Sequence, residues 1–239
     1  MTQPFRGLFV TGTDTGVGKT LVACALVREL RRSGLDAGAM KPIETGVDAR
    51  GPLDALALRE AAGGSDPLED VCPQAFALAS APAVAAAKEG REVSLAAVLA
   101  AFARLAARHE CVIAEGAGGL LVPVAPRLDM AELAAALGLP LLVVTRARLG
   151  TLNHTLLTLE AARSRGLVLA GVVISHGEQA PADADTRNLA WLREWLGPAL
   201  VGELPWLPPG AQAPAGWLDL AALRRSAAAA QSAVARPAS

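Results

Sequence analysis

Short apolar runs alternate along the chain with longer segments in which apolar residues recur at helical spacing. Short continuous apolar runs are typical of parallel strands, because such strands are buried on both faces. The pattern predicts strands at 8–11, 37–40, 111–114, 141–145, 170–174 and 200–202. It predicts helices at 19–33, 54–62, 94–108, 129–137, 151–165 and 185–196. The predicted fold class is α/β, with a mostly parallel central sheet and helices on both faces.

The chain has the size of one large α/β domain. Its 239 residues include 52% hydrophobic ones, enough for a substantial core. We predict a single domain over residues 1–225. The segment 226–239 is rich in Ala and Ser and poor in bulky apolar residues, so we expect it to fray.

The charge balance narrows the possible partners. Lys and Arg number 22 and Asp and Glu 23, for a net charge of −1, and no basic block suggests a nucleic-acid partner. No apolar stretch is long enough to span a membrane, and the N-terminus does not resemble a signal peptide, so a cytoplasmic protein is expected. Cys24, Cys72 and Cys111 form no C-x-x-C pair, which indicates small buried residues in a reducing compartment.

The strongest local motif is G-T-D-T-G-V-G-K-T at residues 12–20, between a predicted strand and a predicted helix. Backbone N–H groups around Gly16 and Gly18 would bind phosphate, and Lys19 would add a positive charge at a solvent-accessible loop edge. Thr20 would bring its hydroxyl to Mg²⁺. The sequence differs at one position from the P-loop pattern G-x-x-x-x-G-K-[ST]. Thr13 stands where the pattern has its first glycine, and Gly12 lies one residue too early. The motif predicts a P-loop NTPase-like fold; the alternative is a glycine-rich turn with an exposed lysine.

Further charged residues follow the predicted strands. Glu115 begins the sequence E-G-A-G-G after the strand 111–114, where a carboxylate could bind the metal of a magnesium nucleotide. Lys41 follows the second strand, and Asp54 precedes a helical run. The alternatives are a capping or solvent-facing Glu115, a solvated Lys41 and an N-cap role for Asp54.

Other catalytic patterns are weak in this sequence. His109, His154 and His176 do not have metal-site spacing, which disfavours zinc. His109 is expected to end a helix, and His154 to open one near a strand tip. No G-x-S-x-G elbow supports a serine hydrolase.

Five segments together resemble a known family. T-G-T-D-T-G-V-G-K-T at 11–20, K-P at 41–42, E-G-A-G-G at 115–119, L-G-T-L-N-H at 149–154 and G-E-L-P-W-L at 202–207 occur in the order found in dethiobiotin synthetases. The resemblance extends from about residue 8 to residue 207. The P-loop is common to many nucleotidases, but its combination with the second and fourth segments is specific.

The resemblance implies an ATP- and Mg²⁺-dependent cyclo-ligase of biotin biosynthesis. Such an enzyme converts 7,8-diaminononanoate and CO₂ to dethiobiotin, with release of ADP and phosphate. A carbamate forms first, the γ-phosphate is transferred to it, and the second amine attacks the mixed anhydride. The resemblance also implies a homodimer with the substrate site at the subunit interface.

The resemblance assigns roles residue by residue. Lys19 and Lys41 are implied as catalytic, and Thr20, Asp54 and Glu115 as the residues that hold Mg²⁺ directly or through water. The implied nucleotide-binding residues are Gly16, Val17, Gly18, Lys19, Thr20, Leu21, Asp54, Glu115, Gly116, Ala117, Gly118, Ser175, His176, Pro205, Trp206 and Leu207. The implied substrate-binding residues are Thr15, Lys41, Thr45, Gly118, Leu149, Gly150, Thr151 and Asn153.

Two positions depart from the family pattern. Ser175-His176 stands where Asn-Asp is common, which predicts weaker selection of the nucleotide base. Ala79 replaces an expected proline, which predicts a less rigid loop around it.

Two alternatives share the fold. One is a nucleotide-switch ATPase of the chromosome-partitioning and division-site type, but those proteins carry a second lysine early in the loop, where this chain has Thr13-Asp14. The other is an amidating synthetase of the cobyrinate type, for whose glutaminase domain 239 residues leave little room.

Overall fold

The protein is described here by a computed structural model over residues 5–177, 182–208 and 211–234. Its strands are β1 Gly7–Gly12, β2 Ala37–Met40, β3 Ile43–Thr45, β4 Gln74–Phe76, β5 Cys111–Gly119, β6 Pro123–Ala125, β7 Leu128–Asp129, β8 Leu141–Arg146, β9 Leu169–Ser175 and β10 Leu200–Leu204. Its helices are α1 Lys19–Arg32, α2 Leu53–Ala61, α3 Leu68–Val71, α4 Pro82–Lys88, α5 Leu95–Arg108, α6 Met130–Leu137, α7 Thr151–Ser164, α8 Asp183–Leu196 and α9 Leu220–Val234.

The central sheet has six strands in the order β10-β9-β8-β1-β5-β2, and every neighbouring pair is parallel. These are the six predicted strands, and β2 has the predicted bounds. β5 is longer than predicted and continues through Gly119, so Glu115 lies within the strand opposite Val10 of β1.

Two apolar layers cover the sheet, because successive side chains of a buried strand point to opposite faces. Leu8 and Val10 of β1 pack into a layer with α1, α2 and α9. Phe9 packs into the other layer, with α4, α5, α6, α7 and α8. Helices therefore lie on both faces of a parallel sheet, and the predicted fold class is confirmed.

Local sequence signals explain where several helices begin. The Asp129 side chain accepts the N–H of Glu132, whose side chain accepts the N–H of Asp129, and this capping box opens α6. Ser94 accepts the N–H of Ala97 and opens α5. His109 is the C-cap residue of α5, as predicted.

The short elements were not predicted from the sequence. The parallel pair β3 and β4 and the antiparallel pair β6 and β7 have only two or three residues per strand. α3 and α4 have four and seven residues. Segments of this length contain less than two full helical turns or strand repeats, so periodicity cannot identify them.

Residues 226–234, for which the sequence predicts fraying, belong to the helix α9, which was not predicted. Leu223 and Ala227, four residues apart, are fully buried against the sheet. Alanine is a strong helix former, and this apolar face gives the segment a packing partner. Residues 235–239 lie outside the described residues.

The three cysteines are buried and free, as the sequence predicts. Burial raises the pKa of each thiol to about 12. None of the described helices is both long and apolar enough to cross a membrane.

Candidate active site

A cleft of about 630 Å³ lies at the carboxyl ends of β1, β2 and β5. The P-loop, Lys41 and Glu115 meet there because the carboxyl ends of neighbouring parallel strands share one edge of the sheet. The cleft is lined by Thr15, Gly16, Gly18, Lys19, Thr20, Leu21, Lys41, Glu44, Thr45, Asp54, Ala79, Ser80, Ala81, Pro82, Glu115, Ala117, Gly118 and Val122.

The P-loop connects β1 to α1. Gly18, the N-cap residue of α1, has φ 92° and supplies no side-chain cap, so the first N–H groups of the helix remain available to an anion. A Cβ at Gly18 would lie 2.4 Å from the Ser175 hydroxyl oxygen, so only glycine fits this contact. Thr13, at the expected glycine position, donates its N–H to the Val144 carbonyl of β8 at 3.0 Å.

Lys19 differs from the predicted exposed loop residue: only 7% of it is exposed. Its ammonium donates to the Asp14 carbonyl at 2.8 Å, within the same loop. Burial, and then the nearby Lys41 ammonium, lower the pKa of Lys19 to about 8. A positive charge placed this way in a partly dehydrated site would interact strongly with phosphate.

Lys41 lies at the centre of the cleft. It is 3% exposed, and its ammonium donates to Glu115 Oε1 at 2.5 Å and to Asp54 Oδ2 at 2.8 Å. Burial disfavours the charged lysine, but the two carboxylates outweigh it and hold its pKa above the ordinary value. The alternative of a solvated lysine is therefore wrong.

Glu115 is fully buried, which overturns its capping and solvent-facing alternatives. Its Oε1 accepts hydrogen bonds from Lys41 and from the Thr20 hydroxyl, the latter at 2.8 Å. Its Oε2 is buried and has no hydrogen-bond partner among the described residues. Burial raises the pKa of Glu115, and the Lys41 ammonium opposes that shift.

Asp54 is the second residue of α2, not its N-cap, which is Pro52. Its side chain is 42% exposed and points to Lys41. The N-cap alternative is therefore wrong. The helix begins at Leu53, one residue before the predicted start at residue 54, so Asp54 lies inside its first turn.

The oxygen donors suit Mg²⁺, which prefers carboxylates, hydroxyls and water. Thr20 and Asp54 line the cleft beside Glu115, whose Oε2 is the unpartnered buried oxygen. No cluster of three or more His, Cys, Asp or Glu side chains in the described ranges forms a closed metal cage. An ion here would take its other ligands from phosphate and water.

Twelve of the predicted site residues line the cleft, and the others lie beyond it. Val17 is buried in the core next to α1. Gly116 packs on the Phe9 ring, which a Cβ would approach to 2.9 Å. Val17 and Gly116 lie in the loops predicted to bind the nucleotide. Core packing holds both residues in place.

The predicted base-binding residues follow or end β9 and β10, and one of them, Ser175, contacts the P-loop. Ser175 is buried against Gly18. The His176 ring lies 3.0 Å from Glu203 Oε2, and Glu203 also accepts two hydrogen bonds from Arg193. Residues 205–207 follow β10, with Trp206 42% exposed and Leu207 packed against the core.

The start of α7 carries the predicted substrate-binding segment 149–153, outside the described lining of the cleft. Leu149 is 71% exposed, and Asn153 is also exposed. Thr151 is buried, its hydroxyl pairs with Thr145 at 2.7 Å, and its N–H donates to the Arg148 carbonyl. The polar groups of Thr151 are therefore used to hold α7 on β8, and Thr155 adds a second hydroxyl contact to Thr145 at 2.8 Å.

The loop around Ala79 forms one wall of the cleft. Gly46 donates its N–H to the Leu78 carbonyl at 3.2 Å, and a Cβ at Gly46 would meet the Ala79 methyl at 3.1 Å. The hydrogen bond joins the loop to the end of β3, and the close approach of Ala79 leaves little space for a side chain at Gly46.

The sequence did not identify Glu44, Val122 or residues 79–82 as site residues. Val122 and residues 79–82 are small or apolar and carry no chemical motif. Glu44 lies next to the predicted Thr45, and its sequence position alone does not show that it is buried beside Asp54.

Known proteins match most of this chain. A family model described as AAA domain matches residues 6–213. The ATP-dependent dethiobiotin synthetase BioD of Anaeromyxobacter dehalogenans (strain 2CP-C) is 57% identical, over 85% of this chain and 91% of that protein. The BioD protein of Aromatoleum aromaticum is 43% identical over 86% and 92%, and that of Bacillus subtilis subsp. natto 38% over 84% and 88%. The chain therefore belongs to the family of ATP-dependent dethiobiotin synthetases.

Proposed function

We propose that this cleft converts 7,8-diaminononanoate, CO₂ and ATP to dethiobiotin, ADP and phosphate. The observation that carries the proposal is the meeting of the P-loop lysine, Lys41 and Glu115 in one cleft, in a chain 57% identical to a dethiobiotin synthetase. The switch-ATPase alternative is not favoured by these relatives.

The reaction has three steps. One amine of the substrate attacks CO₂ and loses a proton, which gives a carbamate. A carbamate oxygen attacks the γ-phosphorus of ATP, and ADP leaves. The second amine then attacks the carbonyl carbon of the mixed anhydride and loses a proton, and the C–O bond to phosphate breaks, which releases phosphate and closes the ureido ring. Every step forms or moves anionic oxygen, so positioned positive charges are the main requirement.

The two lysines supply those charges from different elements. Lys19 and the N-terminal N–H groups of α1 would bind the β- and γ-phosphates. Lys41 would bind the carbamate, on the opposite side of the transferred group. Thr15 and Thr45, which line the same cleft, would contact the diamine or its carbamate.

Thr20, Asp54 and Glu115 would hold Mg²⁺ in this cleft. The bound ion would neutralise phosphate charge during transfer. Lys41 donates hydrogen bonds to Asp54 and Glu115, and this direct contact supports a joint role of the three side chains in the proposed reaction.

Glu115→Gln is expected to raise the Mg²⁺ concentration needed for half-maximal activity by at least about tenfold, because the substitution keeps the shape and removes the charge. The measurement is a magnesium titration of dethiobiotin formation at saturating ATP. Asp54→Asn is expected to act in the same direction and more weakly, since Asp54 is partly solvated. An unchanged titration for Glu115→Gln would exclude it as a metal ligand.

The proposed reaction is tested directly by incubating the protein with diaminononanoate, bicarbonate and Mg-ATP. The expected product is dethiobiotin, identified by mass, with one ADP released per ring formed. ATP hydrolysis stimulated by DNA or membranes, without a diamine-dependent product, would instead favour the switch ATPase.

Base selection is expected to be weaker here than in relatives with Asn at the position of Ser175. An Asn amide can pair with two groups on the adenine edge, whereas a hydroxyl offers one shorter contact. Ser175→Asn is expected to increase the preference for ATP over GTP by about ten- to a hundredfold in kcat/KM. A strong native preference for ATP that Ser175→Asn leaves unchanged would show that this position does not set base selectivity.

We also propose a homodimer in which residues 149–153 of one subunit reach the substrate carboxylate of the other. The exposure of Leu149 (71%) and Leu157 (60%) near the start of α7 supports this, because large apolar side chains favour burial in an interface. A cytoplasmic location, where ATP is available, belongs to the same proposal.

A further inference from the structure

Glu44 is a buried carboxylate of β3 that lines the cleft and has no role in the reaction steps proposed above. It is 6% exposed, and both of its oxygens are used by α2. Oε1 accepts the backbone N–H of Asp54 at 3.0 Å, and Oε2 accepts that of Ala55 at 2.9 Å. A single side chain thus binds two of the first N–H groups of the helix.

α2 needs such a partner from elsewhere in the chain. Its N-cap residue is Pro52, whose side chain cannot accept a hydrogen bond. The free N–H groups at the start of a helix favour a negative charge beside them. Glu44 provides that charge from ten residues earlier, so the cap joins two separate segments of the cleft wall.

The segment that carries Glu44 is itself well fixed. β3 pairs with β4, and Glu44 lies opposite Ala75. The neighbouring Gln74 exchanges hydrogen bonds with the backbone of Ser94, at the start of α5. The carboxylate therefore holds α2 to a rigid part of the fold.

The residue whose N–H is held is Asp54, and its side chain binds Lys41 at 2.8 Å. Asp54 is partly exposed, and Lys41 is the one side-chain partner that the structure shows for its carboxylate within the described residues. The location of the Asp54 carboxylate therefore depends on the position of the first turn of α2, which Glu44 binds.

We propose that Glu44 is a positioning residue that holds Asp54 where its carboxylate can bind the magnesium-nucleotide complex. The inference rests on the proposed function. Glu44 acts through the backbone of Asp54, so its loss should weaken nucleotide binding when Mg²⁺ is present and leave metal-free binding almost unchanged. A residue that only capped α2 would change the free energy of unfolding. It would not change the ratio of the nucleotide affinities measured with and without Mg²⁺.

The test compares Glu44→Gln with Asp129→Asn in the full chain. Asp129 is the capping residue of α6, so its variant controls for the general loss of a carboxylate cap. ADP affinity is measured by calorimetry with and without Mg²⁺, and thermal unfolding is measured for each variant. Glutamine keeps one acceptor oxygen, so the Glu44→Gln protein retains one of the two hydrogen bonds and should fold.

Glu44→Gln is expected to reduce the gain in ADP affinity that Mg²⁺ provides by about tenfold, the low end for partners that orient a metal ligand. Asp129→Asn is expected to lower the unfolding temperature without changing that gain. In an Asp54→Asn background, Glu44→Gln should have almost no additional effect on the gain in ADP affinity from Mg²⁺. Both substitutions act on the same metal-binding side chain, that of Asp54.

An unchanged magnesium gain in Glu44→Gln would overturn the inference and leave Glu44 as a structural cap. Full additivity with Asp54→Asn would also overturn it, since Glu44 would then act by another route. The readout does not depend on turnover: failure of the native protein to form dethiobiotin would remove the proposed function, while the ADP measurements would still decide the role of Glu44.

Discussion

Lys41→Ala is expected to lower kcat for dethiobiotin formation by at least about 100-fold. The substitution removes the cation proposed to bind the carbamate. It also leaves the buried Glu115 carboxylate without the cation that lies 2.5 Å from it. Loss of one partner of a buried ion pair costs about 3–5 kcal/mol, so the free energy of unfolding should fall by a similar amount. Steady-state kinetics and urea unfolding measure the two effects.

A double variant separates catalysis from stability. Lys41→Met combined with Glu115→Gln removes both charges and keeps most of the volume, so it should recover much of the lost stability. Assayed at saturating Mg²⁺, which offsets the weaker metal binding expected of Glu115→Gln, its activity should stay as low as that of Lys41→Ala. Recovery of activity with stability would show that Lys41 supports the fold and does not act on the substrate.

Lys19→Ala is expected to reduce kcat by at least about 100-fold, through loss of a charge on the transferred phosphoryl group. Its effect on stability should be small. The variant loses the hydrogen bond to the Asp14 carbonyl, but it also removes a charge that burial disfavours, as the lowered pKa shows. Product formation by mass and urea unfolding at pH 7 are the measurements.

The pH dependence of stability provides a control for Lys19. Its pKa is about 8 in the folded protein, below the ordinary lysine value of 10.5 that applies to the unfolded chain. Between these values the unfolded chain binds more protons, so the contribution of Lys19 to stability rises with pH in this window. The native protein should show this rise relative to Lys19→Ala. Near-normal activity in a folded Lys19→Ala protein would contradict the P-loop assignment.

The six main strands could be predicted from the sequence because the signal for each is local. Burial on both faces requires a continuous apolar run, and a run such as 37–40 requires no knowledge of its neighbours. The phosphate loop was also readable, because its glycines, lysine and threonine are adjacent in the chain. The common edge of parallel strands then predicted that Lys41 and Glu115 would approach this loop.

The tertiary structure decided how these groups interact. Lys41 lies between Asp54 and Glu115, which are 13 and 74 residues away in the sequence. Burial and ionisation depend on distances between such remote segments, and no local pattern encodes those distances. For this reason the local sequence favours a solvated Lys41, the commoner fate of lysines, although the side chain is buried and ion-paired in the fold.

The same reason explains the residues that sequence reasoning missed or misjudged. Glu44 caps a helix from another segment, and α9 is stabilised by packing Leu223 and Ala227 against the sheet. In both cases the deciding contact joins separate elements that the tertiary fold brings together. The sequence by itself determined the sheet and the kinds of chemical groups at its edge; the tertiary structure determined which groups are buried, which are paired and which remain available to a ligand.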